Sequence, residues 1–128
     1  MAKSPKQPDT FDVVGYAFPE NERVKFPQQA KIFDGYKEMS VSDILNDSTI
    51  EAVIVETEEI YLTKYALMVA NAGKHLHMEK PGGVDFVAFN KLVEELRTKK
   101  LTLSMGAGCF DVSGCLRTAP RCARESTL

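Results

Sequence analysis

No tryptophan occurs in the 128 residues, and cysteine is confined to Cys109, Cys115 and Cys122. Three thiols with no C-x-x-C pair form neither a disulfide framework nor a zinc signature, so reduced thiols are expected. Neither sign of charge dominates: 16 Lys plus Arg against 18 Asp plus Glu leave a net charge of −2. That balance carries no electrostatic footprint for nucleic acid. No unbroken apolar stretch reaches membrane-spanning length, and residues 1–9 are polar, without the apolar centre of a signal peptide. Membrane insertion and secretion are therefore disfavoured, and a cytoplasmic protein is the expectation. What is present is ordinary for a globular chain, with 44% hydrophobic and 27% charged residues. The length suits one domain with a real core and is short for a two-domain enzyme.

Glycine supplies a second absence. The eight glycines stand at positions 15, 35, 73, 82, 83, 106, 108 and 114, and none satisfies G-x-G-x-x-G. That spacing lets backbone amides and a helix N-terminus hold a pyrophosphate. Gly106 and Gly108 begin it, but Asp111 stands at the third position and no periodic helix follows.

Residues 1–10 contain Lys3, Pro5, Lys6 and Pro8 and read as a loose leader. Residues 11–18 (FDVVGYAF) read as a strand closed by Pro19. Pro19, Glu20, Asn21 and Glu22 then open a short helix that Pro27 is predicted to stop. Residues 31–36 read as a short extended piece, followed by a helical turn over 41–46 capped by Ser40 or Ser42. The middle of the chain is clearer. Ala52, Val53, Ile54 and Val55 form an apolar, β-branched run that predicts a strand buried on both faces. A helix follows, with Leu62, Tyr65, Ala66, Val69 and Ala70 on one stripe and Gly73 as its stop. Residues 75–79 read as a strand ended by Pro81, Gly82 and Gly83. The next helix has Phe86, Phe89, Val93 and Leu96 on one face, with Lys91, Glu95 and Lys99 at i,i+4 spacing outside. Residues 101–105 close the pattern as another strand. Strands alternating with helices predict an α/β fold with a mostly parallel sheet. From Gly106 onward no period of 2 or 3.6 persists, and 106–128 reads as an irregular tail.

In an open parallel sheet, ligands sit beyond the carboxyl ends of the strands. Those ends are residues 17–20, 56–59, 79–83 and 106 onward. The run Glu79, Lys80, Pro81, Gly82, Gly83 is the most pointed of them. A lysine beside a glutamate supplies a cation and a polarising donor, and adjacent glycines allow close approach of a ligand. The same run also reads as a plain strand-to-helix turn with an exposed ion pair. His75, His77 and Glu79 alternate, so they share a strand face on which a divalent ion would find ligands. A full coordination shell would need further groups from elsewhere, and no metal is assigned.

Ala72, Gly73, Lys74 and His75 followed by Glu79, Lys80 and Pro81 resemble the AGKH…EKP signature of the Gfo/Idh/MocA family of NAD(P)-dependent oxidoreductases. Residues 48–57 (STIEAVIVET) resemble the family's strand leading into the cofactor loop. Residues 11–23 resemble its second strand and following helix, and 43–47 (DILND) the short helix between them. The resemblance covers residues 11–105 and implies a Rossmann-like nucleotide-binding domain, with the family's substrate domain beyond it. By that resemblance Lys80 lies near the nicotinamide and the reacting carbon as the catalytic lysine. Glu79 and Pro81 line the cofactor site, and Thr57 and Glu58 belong to the loop after the strand. Where the family has Pro and later His, this chain has Glu58, Glu59 and Leu62. Glutamates at 56, 58 and 59 sit poorly against a pyrophosphate and tolerably beside a nicotinamide ribose. Phe18 stands where the family's acidic ribose ligand ends the second strand, with Glu20 nearby; its ring would stack on adenine or pack on the sheet.

The resemblance also implies a first strand and helix before residue 11, for which ten residues are available, and acid/base groups in the second domain, which nothing after Met105 resembles. The Cys-, Arg- and Ser-rich end reads as a change of reading frame or a spliced end. The implied function is a partial nucleotide-binding domain for NAD or NADP that does not transfer hydride alone. The alternative is a non-catalytic module that self-associates or docks on a full-length relative.

Overall fold

The computed structural model describes residues 2–3, 12–106 and 108–111; of residues 2–3 and 108–111 only the backbone is described. The chain divides into two compact units, residues 1–50 and 51–128, each described by itself.

In the first unit, β1 (Ala2–Lys3) pairs antiparallel with β2 (Asp12–Val13). The leader thus contains a short strand, while residues 4–11, including Phe11 of the predicted strand, lie outside the described residues. The expected strand over 11–18 resolves into β2 and an isolated parallel bridge between Tyr16 and Glu38. Gly15 permits that approach, since a Cβ there would stand 2.6 Å from the Lys37 carbonyl oxygen and 2.7 Å from Met39 Sδ.

Helix α1 (Glu22–Lys25) begins after Asn21, whose φ of 59° marks a left-handed entry. Pro27 ends it, but also opens α2 (Pro27–Ala30) as its first residue, where a missing N–H costs nothing. The extended piece expected at 31–36 is instead a 3-10 turn over Lys31–Phe33. No period-2 pattern opposes that turn, and Gly35 at φ 99° takes the chain out of it. Helix α3 (Val41–Asn46) forms as predicted. Ser40 Oγ accepts from the Asp43 amide at 3.0 Å, and the Asp43 carboxylate accepts in return from the Ser40 amide at 3.4 Å.

The second unit carries the sheet. β3 (Ala52–Val55), β4 (His75–Met78) and β5 (Thr102–Met105) run parallel in the order β3-β4-β5. β6 (Gly108–Asp111) returns antiparallel along β5. Residues 108–111, read as part of an irregular tail, form this strand: a hairpin needs only a short connection and a partner edge, and neither leaves a long period in the sequence. Residues 112–128 lie outside the described residues.

Helix α4 (Glu59–Asn71) joins β3 to β4, and α5 (Phe86–Thr98) joins β4 to β5. Gly73, at φ 74°, stops α4 as predicted. Lys99 Nζ donates to the Ala70 and Asn71 carbonyls at 3.1 and 2.8 Å, so it completes the end of α4 from the end of α5. The predicted pair between Lys99 and Glu95 forms at 2.9 Å.

The register gathers Val53, Val55, Leu76, Met78, Leu103 and Met105 on one face of the sheet. With Leu62, Ala66, Val69 and Ala70 of α4 and Leu92 and Leu96 of α5 they form a core in which Val53 and Met105 are half-buried and the others buried. The opposite face holds Ala52, Ile54, His75, His77, Thr102 and Ser104. Ile54 is 71% exposed, which corrects the expectation that β3 is buried on both faces. Its β-branched run serves core packing at Val55 and leaves the alternate positions open.

Helix α5 brings a second correction. Phe86 is 76% exposed, whereas Leu92, absent from the predicted stripe, is fully buried. At about 100° per residue, a stripe centred between Leu92 and Leu96 puts Phe86 at its margin, in the first turn.

Candidate functional site

Parallel pairing in register places the ends of three strands side by side. Val55 pairs with Met78 and Met78 with Met105, so Glu56, Glu79 and Gly106 follow in one row along the carboxyl edge. The Glu79 amide extends the ladder by donating to the Val55 carbonyl at 3.2 Å. Lys80 and Pro81 come next, across a cis peptide, and Thr57 and Glu58 leave the neighbouring strand at the same edge. Thus Thr57, Glu58, Glu79, Lys80 and Pro81 follow the ends of neighbouring strands at one edge of the sheet.

Gly106 gives this edge its shape. A Cβ there would lie 3.2 Å from Lys80 Cε and 3.5 and 3.7 Å from the two Glu79 carboxylate oxygens. The lysine stem and the carboxylate therefore lie over bare backbone. The Lys80 amide also donates to Glu79 Oε2 at 3.3 Å. Lys80 itself is exposed and Glu79 half-buried, so an accessible cation stands beside a carboxylate at the middle strand of the parallel set.

The turn behind Lys80 is held from three elements. Thr63 of α4, buried and 6% exposed, donates its hydroxyl to the Gly82 carbonyl at 2.9 Å. A Cβ on Gly82 would meet Phe89 Cε2 of α5 at 3.0 Å and Met105 Cε of β5 at 3.2 Å. A Cβ on Gly83 would overlap Thr63 Oγ1. Sequence reasoning missed Thr63 because it is polar. Its spacing of i+3 and i+7 to Ala66 and Ala70 on the apolar stripe was the available signal.

The remaining candidates have surroundings of their own. Leu62, at the position of the family's histidine, is 1% exposed in the core. Phe18 belongs to the first unit, where its ring centroid lies 5.1 Å from Tyr16 and 5.5 Å from Phe33, with the Arg23 guanidinium 5.3 Å over it. Arg23 also donates to Tyr16 Oη at 2.8 Å and pairs with Glu38 at 2.7 Å. Phe18 thus packs in an aromatic cluster and is half-buried. The H-x-H-x-E face does not assemble: His75 Nδ1 accepts from the Thr102 amide at 3.0 Å, and His77 Nδ1 lies 3.0 Å from Ser104 Oγ. Among the described residues no group of three His, Cys, Asp or Glu is placed to hold a metal, and no helix is long and apolar enough to cross a membrane.

Residues 2–107 match the profile of a family described as an oxidoreductase family with an NAD-binding Rossmann fold. The chain belongs to the Gfo/Idh/MocA family. Its α/β architecture, with three parallel strands and helices α4 and α5, is that of the family's NAD-binding domain.

Solved structures agree on the fold. YvaA from Bacillus subtilis shares 26% identity at a TM-score of 0.61, covering 76% of this chain and 27% of its own. The WlbA dehydrogenase from Bordetella pertussis, solved in complex with NADH and UDP-GlcNAcA, shares 23% at 0.60, covering 73% and 27%. The UDP-N-acetylglucosamine 3-dehydrogenase GnnA from Acidithiobacillus ferrooxidans also shares 23% at 0.60, covering 73% and 29%. Among curated proteins none matches the chain. The chain thus spans 27–29% of the length of these solved structures.

The glutamates at this edge, Glu56, Glu58, Glu59 and Glu79, suit a pyrophosphate poorly. Lys80 offers a cation, and bare backbone at Gly106 leaves room beside it. Glu58 and Glu59, at the start of α4, already complement that helix's positive end and would repel a phosphate placed there.

Proposed function

We propose that this chain is a nucleotide-binding part of a Gfo/Idh/MocA oxidoreductase that receives the nicotinamide half of NAD or NADP at the carboxyl edge of β3, β4 and β5. The observation that carries this reading is the placement of Lys80 and Glu79 over Gly106 at that edge, within the segment matched to an NAD-binding fold. The cofactor supplies hydride chemistry at its nicotinamide ring. Lys80 supplies a positioned cation that orients and polarises a substrate oxygen, and Glu79 and Pro81 fix the backbone from which it projects. Thr57 and Glu58 line the adjoining side through polar contacts to the ribose. Phe18, packed with Tyr16 and Phe33, takes a supporting place in its own unit. The matched segment holds the dinucleotide without turning over a substrate by itself, and its setting is the cytoplasm.

Titrating NADH, and NADPH in parallel, into the protein while following nicotinamide fluorescence tests this reading. Saturable enhancement with either nucleotide supports it, and a linear signal for both contradicts it.

A second reading, a self-associating module, is favoured by the open face of the sheet around Ile54. Light scattering after size exclusion separates the two: a concentration-independent monomer removes the module, whereas a dimer that binds no nucleotide favours it.

A further inference from the structure

The turn that carries Lys80 is locked by one hydroxyl. Thr63 sits in the first half of α4, on a stripe otherwise made of Leu62, Ala66, Val69 and Ala70. A threonine buried there needs a partner, and it finds the Gly82 carbonyl at 2.9 Å. Two observations make this contact more than local satisfaction. Gly83 has no Cβ where one would overlap Thr63 Oγ1, so the hydroxyl reaches a backbone that any other residue would push away. Gly82 in turn has no room for a Cβ, which would stand 3.0 Å from Phe89 Cε2 and 3.2 Å from Met105 Cε. The backbone two and three residues beyond Lys80 is therefore pinned between α4, α5 and β5, both glycines standing at positive φ (92° and 108°). Lys80, by contrast, is exposed, with its stem over Gly106 and no core packing to set its direction.

We infer that Thr63 is a positioning residue for Lys80: by holding the Gly82 carbonyl it fixes the turn from which the Lys80 ammonium projects towards a bound nicotinamide dinucleotide. This rests on the functional reading above. Thr63 touches neither nucleotide nor substrate and acts through the turn alone. Replacing its hydroxyl with a methyl leaves the Gly82 carbonyl buried without a donor, and the turn gives up its conformation to recover one.

The test uses the full chain and two readouts. In the nucleotide-free protein, amide resonances of Glu79, Lys80, Gly82 and Gly83 are followed by NMR in the wild type, Thr63→Val and Thr63→Ser. The valine variant shifts and broadens all four, and the serine variant, which keeps the hydroxyl, restores them. NADH affinity is then measured in the same proteins and in Lys80→Met. Thr63→Val weakens binding about tenfold, equivalent to about 1.4 kcal/mol, Thr63→Ser recovers most of it, and in the Lys80→Met background the valine costs nothing further. If the valine variant does not fold, Thr63→Ala removes the hydroxyl without adding a methyl in its place. Unmoved turn resonances overturn the inference, as does an equal loss in both Lys80 backgrounds. A wild type that binds no NADH while Thr63→Val still perturbs the turn overturns the functional reading, and with it the role of the turn in nucleotide binding.

Discussion

At the scale of single residues, the edge is shaped by what glycine leaves out. Gly83 combines a φ of 108° with a missing Cβ that would overlap Thr63 Oγ1, so Gly83→Ala meets both backbone strain and overpacking. The expected cost is about 2–4 kcal/mol, read as a fall in the urea unfolding midpoint. Gly106 is a different case, because the atom nearest its absent Cβ is the flexible Cε of Lys80. Gly106→Ala should leave the midpoint nearly unchanged and weaken NADH binding by displacing the lysine stem. A large drop in stability would place Gly106 in the core instead. Lys80 itself is exposed and projects from a turn fixed by other groups, so Lys80→Met should weaken NADH binding by about tenfold or somewhat more, still saturable, without lowering the midpoint.

At the scale of elements, α3 and α5 begin at side-chain caps. Asp85 accepts from the Val87 and Ala88 amides at 2.9 and 3.1 Å and opens α5 directly after the glycine turn. Asp85→Ala should cost about 1 kcal/mol in thermal or urea unfolding. Leu96, fully buried on the same helix, should cost about 2–5 kcal/mol as Leu96→Ala, and a smaller loss would mean that α5 is loosely packed.

Much of this level was legible in the sequence. The helical turn at 41–46 with a serine cap, the Gly73 stop and the strand at 52–55 each express a local rule, and each forms where its residues predict; that Ser40 rather than Ser42 is the cap was left open. What was not legible depends on neighbours. The rotation of α5 that buries Leu92 and exposes Phe86 is decided by the surface beneath it, since either stripe has helical spacing. β6 arises from pairing with β5, which no period within 106–111 announces. Thr63 was hidden because polarity at one position of an apolar stripe reads as a flaw until its carbonyl partner is in view.

At the scale of the molecule, three parallel strands of the second unit end together at one edge. The convergence of Glu79, Lys80 and Gly106 was foreshadowed by the rule that ligands lie beyond strand carboxyl ends, and the EKP resemblance singled out the lysine. The contact between Gly106 and the lysine stem was not foreshadowed, because it joins residues from adjacent strands 26 positions apart in sequence (106 − 80). Membership of the Gfo/Idh/MocA family rests on the match over residues 2–107; the use of this edge for the nicotinamide is the central claim. Backbone amide mapping by NMR during an NADH titration of the full chain tests it most directly. The account predicts saturable shifts centred on residues 57–58, 79–83 and 106. Shifts confined to other parts of the chain, or no saturable shift at all, would contradict it.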